Sequence, residues 1–314
     1  MPEPLKGNTM AKPLCIYHDN CADGFTAAWV IHRALGTDAV EFVPGVYGAP
    51  PPDVTRRDVI MVDFSYKRPV LEGMAQQARS ILILDHHKTA QADLTGFGVD
   101  IAQYSRPFGW LRHMANVQQD KYEGVLQSVY VEFDMGRSGA QIAWDFFCVR
   151  KQRPPLVDYV ADRDLWRFAL PDSRAIAAVL FSHEYEFATW SALSAEMENP
   201  DLRRTLARQG EAIERKHHKD VTELVRVTRR EMVIGGIRVP VANLPYTMAS
   251  DAGALMAKDA PFAACYYDRP DARVFSLRST DTGADVAAIA ATYGGGGHQH
   301  AAGFQAASGW EGDE

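Results

Sequence analysis

The sequence is most informative first in what it lacks. No run of about 18 apolar residues occurs, and the longest apolar stretches are short pieces such as Ile81–Leu84. A bilayer-spanning helix is therefore not expected. Cysteine is scarce: Cys15, Cys21, Cys148 and Cys265 form no CxxC pair, which argues against a zinc ribbon or a disulfide scaffold. The opening stretch MPEPLKGNTMAKPL has no apolar segment of the kind that marks secretion, so a reducing, cytoplasmic setting is expected. Positive charge is not in excess either, since 33 Lys and Arg face 40 Asp and Glu for a net charge of −7. A long nucleic-acid groove needs a basic footprint, so none is expected. A small anionic substrate stays open, because bound cations supply positive charge locally. Internal repeats and low-complexity segments are absent as well.

What is present is ordinary globular composition, 46% hydrophobic and 23% charged over 314 residues, enough for two domains at roughly 150 residues each. Residues 1–12 read as a disordered tail. Short apolar, β-branched runs at Leu14–Tyr17, Glu41–Val43, Val59–Val62 and Ile81–Leu84 alternate with helical spacing at Phe25–Leu35 and Arg68–Arg79. That rhythm predicts a parallel sheet covered on both faces. Gly139–Val149 reads as a helix capped by Ser138. From Leu202 to Arg230 proline is absent and glycine occurs once, which predicts a long connecting helix, with Gly210 as its one weak point. Beyond it, MVIGGIRVPVANL predicts a hairpin turned at Gly235-Gly236. Ala249–Lys258 and Asp285–Tyr293 read as helices, Phe262–Tyr267 and Arg273–Leu277 as strands. The expected fold class is α/β, with domains at 13–200, a helical linker at 201–231 and a smaller α+β domain at 232–314. Residues 100–137, which contain Trp110, Arg112 and His113, resist assignment and could form a lid.

Three strands end in acids or histidines: HDNCAD, VDFS and LDHH. Ligands of open α/β sheets bind beyond the carboxyl ends of the strands. Another apolar stretch, Leu156–Val160, runs into Ala161-Asp162-Arg163-Asp164. Any one of these acids alone would be an ordinary surface residue. Together His18, Asp23, Asp63, Asp85, His86, His87 and Asp162 form a set of imidazoles and carboxylates that suits manganese, magnesium, iron or zinc. A metal pair sharing a carboxylate serves phosphoryl chemistry, by clamping phosphate oxygens and deprotonating a water. Lys216-His217-His218-Lys219 lies on a polar helix, where adjacent histidines point in different directions, and is read as surface.

These segments resemble the DHH phosphoesterase superfamily over nearly the whole chain. The resemblance is carried by YHDNCADGFTAA (17–28), MVDFS (61–65), ILILDHHKTA (81–90) and VADRDLW (160–166), and downstream by VFSLRS (274–279) and GGGGHQHAAGF (294–304). The later motifs are similar to the DHH-associated C-terminal domain. The resemblance implies two divalent ions, usually manganese, with magnesium, iron or zinc as alternatives. It implies His18, Asp23, Asp63, His86 and Asp162 as ligands, Asp63 as the bridge, Asp85 as the residue orienting a neighbouring histidine, and His87 facing the substrate phosphate or attacking water. Asp162 is taken over Asp164 on the ground that a helix there turns only one of them inward. Where the family's first motif carries an aspartate, this sequence has Cys21. Either its thiolate is a ligand, which favours zinc or iron, or it is not, and the first site is weak or completed by Asp19.

In the second domain Arg278, Gly295, Gly296, Gly297 and His298 are the expected substrate-binding residues. Bare glycine N–H groups admit an anion closely, and the arginine offers a fork for phosphate. His300 is left unassigned. The implied activity is hydrolysis of phosphodiester or phosphomonoester bonds in short single-stranded oligonucleotides or small nucleotides by a metal-bound hydroxide, as in NrnA-type oligoribonucleases that also take phosphoadenosine phosphate. Substrate would enter between the domains, and a 3′–5′ exoribonuclease or nucleotide phosphatase activity follows. Alternatives are an exopolyphosphatase or pyrophosphatase, a RecJ-type exonuclease, which looks longer, and a non-catalytic nucleotide sensor. A homodimer is compatible with the sequence.

Overall fold

The structure, a computed structural model, describes residues 11–36, 38–103, 109–122 and 128–313. Most of the expected N-terminal tail, and residues 104–108 and 123–127 of the expected lid, lie outside them. Two compact units emerge: residues 1–86, 93–173 and 180–204 form unit 1, and residues 87–92, 174–179 and 205–314 form unit 2.

Unit 1 is built on a six-stranded, wholly parallel sheet. Its strands are β1 (Leu14–His18), β2 (Glu41–Gly45), β3 (Asp58–Val62), β4 (Ser80–Asp85), β5 (Val99–Asp100) and β6 (Val129–Phe133), in the order β2-β1-β3-β4-β6-β5. β3 and β4 are buried at every residue, as strands covered on both faces must be. Side chains alternate across a strand. Leu14, Ile16, Val59, Met61, Ile81, Ile83, Val129 and Val131 therefore share one face, where they pack with Leu71, Met74 and Phe97. The alternate residues Cys15, Ile60, Val62, Leu82 and Leu84 turn to the other face, where helices α1 (Ala22–Leu35) and α5 (Gly139–Phe147) lie. α5 starts with the expected cap: Ser138 Oγ accepts from the Gln141 N–H, and the Gln141 side chain accepts from the Ser138 N–H. Helices α2 (Arg68–Ala75), α3 (Lys88–Asp93), α4 (Trp110–Tyr122), α6 (Pro155–Asp164), α7 (Ser173–Leu180) and α8 (Phe187–Glu198) follow in chain order. His113 of α4 is fully buried, with its ring edge-on to Tyr130.

α9 (Pro200–Thr228) is one continuous helix of 29 residues, about 44 Å long. Gly210 does not break it. Within unit 2 this glycine lies against the Ala175 carbonyl, so closely that a Cβ would collide with it. Unit 2 carries a second six-stranded sheet, ordered β11-β12-β10-β9-β8-β7. It comprises β7 (Arg230–Ile234), β8 (Ile237–Asn243), β9 (Ala263–Asp268), β10 (Arg273–Arg278), β11 (Gly296–His298) and β12 (Ala301–Ala306). Gly235 and Gly236 both take positive φ, 62° and 73°, the conformation a two-residue hairpin of this twist requires. One sheet face packs on α11 (Val286–Thr292) through Phe275, Leu277, Ala302 and Phe304. The other packs Ala263 and Cys265 on α10 (Ala249–Met256). No described helix is long and apolar enough to cross a membrane.

Candidate metal centre

The carboxyl ends of β1, β3 and β4 converge in unit 1. β1 ends in His18, Asp63 follows β3 directly, and β4 ends in Asp85 with His86 next in the chain. α1 begins at the same rim and contributes Asp23 from its first turn, with Cys21 as its N-cap residue. Gly24 makes this approach feasible, because a Cβ there would lie 2.6 Å from the His18 carbonyl. Asp23, Asp63, Asp85 and His86 are each no more than 1% exposed.

Asp63 is the hub. Its Oδ2 lies 3.4 Å from His18 Nδ1 and accepts from the Cys21 thiol at 3.5 Å. Its Oδ1 lies 2.9 Å from His86 Nε2. The same imidazole nitrogen is 3.8 Å from Asp23 Oδ2 and 3.5 Å from Asp164 Oδ2. Two groups of prospective ligands lie wholly within unit 1, His18–Cys21–Asp63 and Asp23–His86–Asp164. Within each, the donor atoms lie within 4.8 Å of one another. Asp63 holds a left-handed backbone, φ 54°, a conformation that aspartate tolerates better than most residues. Its N–H donates to the Leu84 carbonyl, 3.0 Å.

The N-terminus of α5 closes the site from the side. The Ala140 N–H donates to Asp23 Oδ1 at 3.2 Å. Residue 139 must be glycine here, since a Cβ would stand 2.5 Å from that of Asp63 and 3.0 Å from Asp23 Oδ2. Asp85 Oδ1 accepts the His86 backbone N–H at 2.7 Å, which fixes the turn that presents the His86 ring. Tyr47 adjoins the cluster, its ring edge-on to His18.

Concentrating acids without a cation has an electrostatic cost. Burial, then Asp63 and Asp164, hold the Asp23 carboxyl well above its usual range. Burial alone would do the same to Asp63, but hydrogen bonds from His18 and His86 hold it well below. Burial alone would lower His86, yet the Asp63 hydrogen bond and the surrounding acids push it up to about 10. Burial and then Asp63 also push the Cys21 thiol up. Asp23 Oδ2 has no hydrogen-bond partner among the described residues. A buried carboxylate oxygen in that position, facing an imidazole and other carboxylates, fits a divalent cation bound by hard donors.

The structure does not bring Asp162 into this set. The VADRD segment lies on helix α6, where residues two apart point roughly 200° from each other. The helix phase aims Asp164 at His86 and Asp162 at the chain that follows. There Asp162 ties four successive amides. Its carbonyl accepts from the N–H groups of Arg167 (2.9 Å) and Phe168 (3.3 Å). Its carboxylate accepts from those of Ala169 (3.0 Å) and Leu170 (3.1 Å). This tie holds Trp166 and Phe168 at positive φ, 55° and 48°, which bulky residues rarely adopt. Arg163 lies 4.4 Å over the Trp166 ring. Asp164 thus stands where Asp162 is expected from the sequence, because the two lie two residues apart on a helix and not at a strand end. Asp19 is exposed and belongs to neither ligand group.

His87 falls within unit 2, where its ring stacks on His298 at 4.5 Å and 22°. In the same unit Arg278 and His298 both pair with Ala301, from opposite sides of β12. Directly paired residues project from one face, so the Arg278 and His298 side chains leave the sheet on either side of Ala301. Arg278 donates to the Leu277 carbonyl and to Ser250 Oγ, both at 2.8 Å. The glycine run is closely packed. Gly295 N–H donates to the Ala290 carbonyl (2.9 Å) and Gly297 N–H to Thr89 Oγ1 (3.0 Å), while Gly296 pairs with Gly303. His300 Nδ1 lies 3.0 Å from Ser279 Oγ. The helix histidines are engaged separately, His217 with Asp251 at 3.0 Å and His218 with Glu214 at 2.7 Å.

No known family model matches the chain. Among curated proteins it is similar to the uncharacterized protein R106 of Acanthamoeba polyphaga mimivirus, 26% identical over 313 residues. That match covers 92% of this chain, which spans 66% of the viral protein's length. Among solved structures it is similar to an uncharacterized Helicobacter pylori protein, with 12% identity, 96% and 94% of the two chains covered and a TM-score of 0.41. It is also similar to the pGpG-specific phosphodiesterase PggH of Vibrio cholerae, with 13% identity, 95% and 93% covered and a TM-score of 0.37. RecJ of Thermus thermophilus in complex with Mn2+ is 14% identical, with 93% of this chain and 49% of RecJ covered and a TM-score of 0.44.

Proposed function

We propose that the chain is a divalent-metal-dependent phosphoesterase of the DHH type, acting on short oligonucleotides or small nucleotides. The observation that carries this reading is the position of Asp63, with one carboxylate oxygen facing His18 and Cys21 and the other facing His86. One ion would be held by His18, Asp63 and Cys21, the other by Asp23, Asp63, His86 and Asp164. Bound there, such ions would polarise phosphate oxygens and make water acidic enough to attack at neutral pH.

The protein's own groups do the positioning. The Ala140 N–H anchors Asp23 Oδ1 and leaves Oδ2 turned toward the centre. Asp85 fixes the His86 backbone. Gly139 leaves room beside both acids. In unit 2 the row Arg278–Ala301–His298 offers a cation and a flat ring two strand spacings apart, about 10 Å. A phosphate and a base suit that row better than inorganic polyphosphate does, which supports a nucleotide substrate.

The test is hydrolysis by the full chain loaded with Mn2+, Mg2+ or Zn2+, offered a dinucleotide, a nucleotide monoester and polyphosphate. Mononucleotide release from the dinucleotide, or phosphate release from the monoester, is expected. Orthophosphate from polyphosphate alone would move the assignment to an exopolyphosphatase. Nucleotide binding without turnover under any of these metals would make the chain a sensor.

A further inference from the structure

The two ligand groups around Asp63 differ in chemistry. Asp23, His86 and Asp164 offer oxygen and nitrogen donors only. The other group contains a sulfur, and that sulfur is placed as a ligand would be. Around a tetrahedral cation with metal–sulfur and metal–oxygen distances of about 2.3 and 2.0 Å, the two donors lie about 3.5 Å apart. Cys21 Sγ and Asp63 Oδ2 are 3.5 Å apart, and His18 Nδ1 is 3.4 Å from the same oxygen. Cys21 is the N-cap residue of α1, and its thiol donates to the bridging acid.

A second observation points to a cation in the same centre. Asp23 Oδ2 is buried, without a hydrogen-bond partner among the described residues, on a residue 1% exposed. Cys15, Cys148 and Cys265 are buried elsewhere and join no ligand group among the described residues.

We infer that the two cation positions are unequal. The His18–Cys21–Asp63 position is a soft site that takes its ion through the Cys21 thiolate and selects a thiophilic divalent cation such as zinc. The Asp23–Asp63–His86–Asp164 position is a hard site for manganese or magnesium. Thiolate ligands shift preference toward zinc-like ions, and carboxylates toward manganese and magnesium. Binding at the soft site releases the thiol proton to solvent as the sulfur–metal bond forms. This inference rests on the phosphoesterase reading, because it assigns ions to that centre.

Cobalt(II) is the probe. The full chain, stripped of metal and titrated with Co2+, should develop an intense near-ultraviolet thiolate-to-cobalt charge-transfer band whose full intensity corresponds to one thiolate-bound Co2+ per chain. In Cys21→Ser the band should vanish while Co2+ still binds at the other position, and Cys21→Asp should lower the Zn2+-over-Mn2+ preference by at least about tenfold. Co2+ bound with no such band, or a band that survives Cys21→Ser, would overturn the soft site and leave the phosphoesterase reading standing. Failure of any divalent ion to bind the wild-type chain would overturn both. Melting of Cys21→Ser at the wild-type temperature without metal confirms that loss of the band reports on the ligand and not on folding.

Discussion

The strand-end centre of unit 1 and the arginine–histidine row of unit 2 are both polar, but they differ in how far their groups satisfy one another. In unit 2, Arg278 has its carbonyl and hydroxyl acceptors, His298 stacks on His87, and the glycine amides of residues 295 and 297 already donate. In unit 1, three acids crowd one imidazole nitrogen, and a buried oxygen of Asp23 has no hydrogen-bond donor among the described residues. In the first arrangement each of these groups already has a protein partner. The second resembles half of an interaction. Buried polar groups are ordinarily paired, so the centre that holds this Asp23 oxygen is where a charged ligand gains most.

The strongest way to break this contrast is to change its hub. Asp63→Asn keeps the size and tolerates the left-handed backbone, yet it should remove roughly nine tenths or more of turnover and at least one bound ion. Retained turnover with two ions, read by elemental analysis, would show that Asp63 does not join the two groups.

Next comes the pair on α6. Asp164→Asn should weaken ion binding by about 10- to 100-fold. Asp162→Asn should keep ion stoichiometry but destabilise the chain by about 1–3 kcal/mol, because its amide opposes one of the donors at residues 169 and 170. Calorimetric metal titration and thermal melting separate the two; the reverse pattern would make Asp162 the ligand.

The pH dependence sharpens the comparison further. In the metal-free chain His86 is raised from its usual 6.5 to about 10. Its contribution to stability is therefore complete below pH 6.5 and fades as pH rises toward 10. A cation needs the neutral ring, so ion affinity should climb over the same window. Asp162 behaves oppositely. Burial would raise it, but the nearby Ser173 hydroxyl and the hydrogen bonds from the amides of Ala169 and Leu170 hold it below 3.8. Its stabilisation is present above that value and is lost as the pH falls through its lowered pKa. Melting curves from pH 3 to pH 10, compared with His86→Gln and Asp162→Asn, check both signs.

The smallest effect is expected in unit 2. Arg278→Ala should raise KM for a nucleotide about tenfold and leave a small chromogenic ester nearly unchanged. Equal effects on both substrates would remove the row from nucleotide recognition.

Much of this was legible in the sequence because it depends on local rules. Continuous β-branched runs identify strands covered on both faces, and acids directly after them mark the rim. Ser138 announces the α5 cap, and Gly235-Gly236 the hairpin. What escaped depends on phase and tertiary contact. Asp162 and Asp164 look alike as letters; only the register of α6 decides which one faces His86. The positive φ of Trp166 goes with the turn in which Asp162 gathers the amides of residues 167–170, which no residue type announces. The glycine run reads as an open cradle, yet Thr89, far away in sequence, already meets Gly297 there. Gly210 reads as a weak point in a helix, whereas it is a crossing point.

That crossing has an evolutionary consequence. Because residue 210 must present no side chain toward Ala175, α9 cannot gain or lose a single residue on either side of it without rotating by about 100° and swinging a neighbour into the carbonyl. Descendants of this gene are free to substitute along the helix surface but not to slip its frame, so insertions and deletions in this stretch should be confined to near-whole turns.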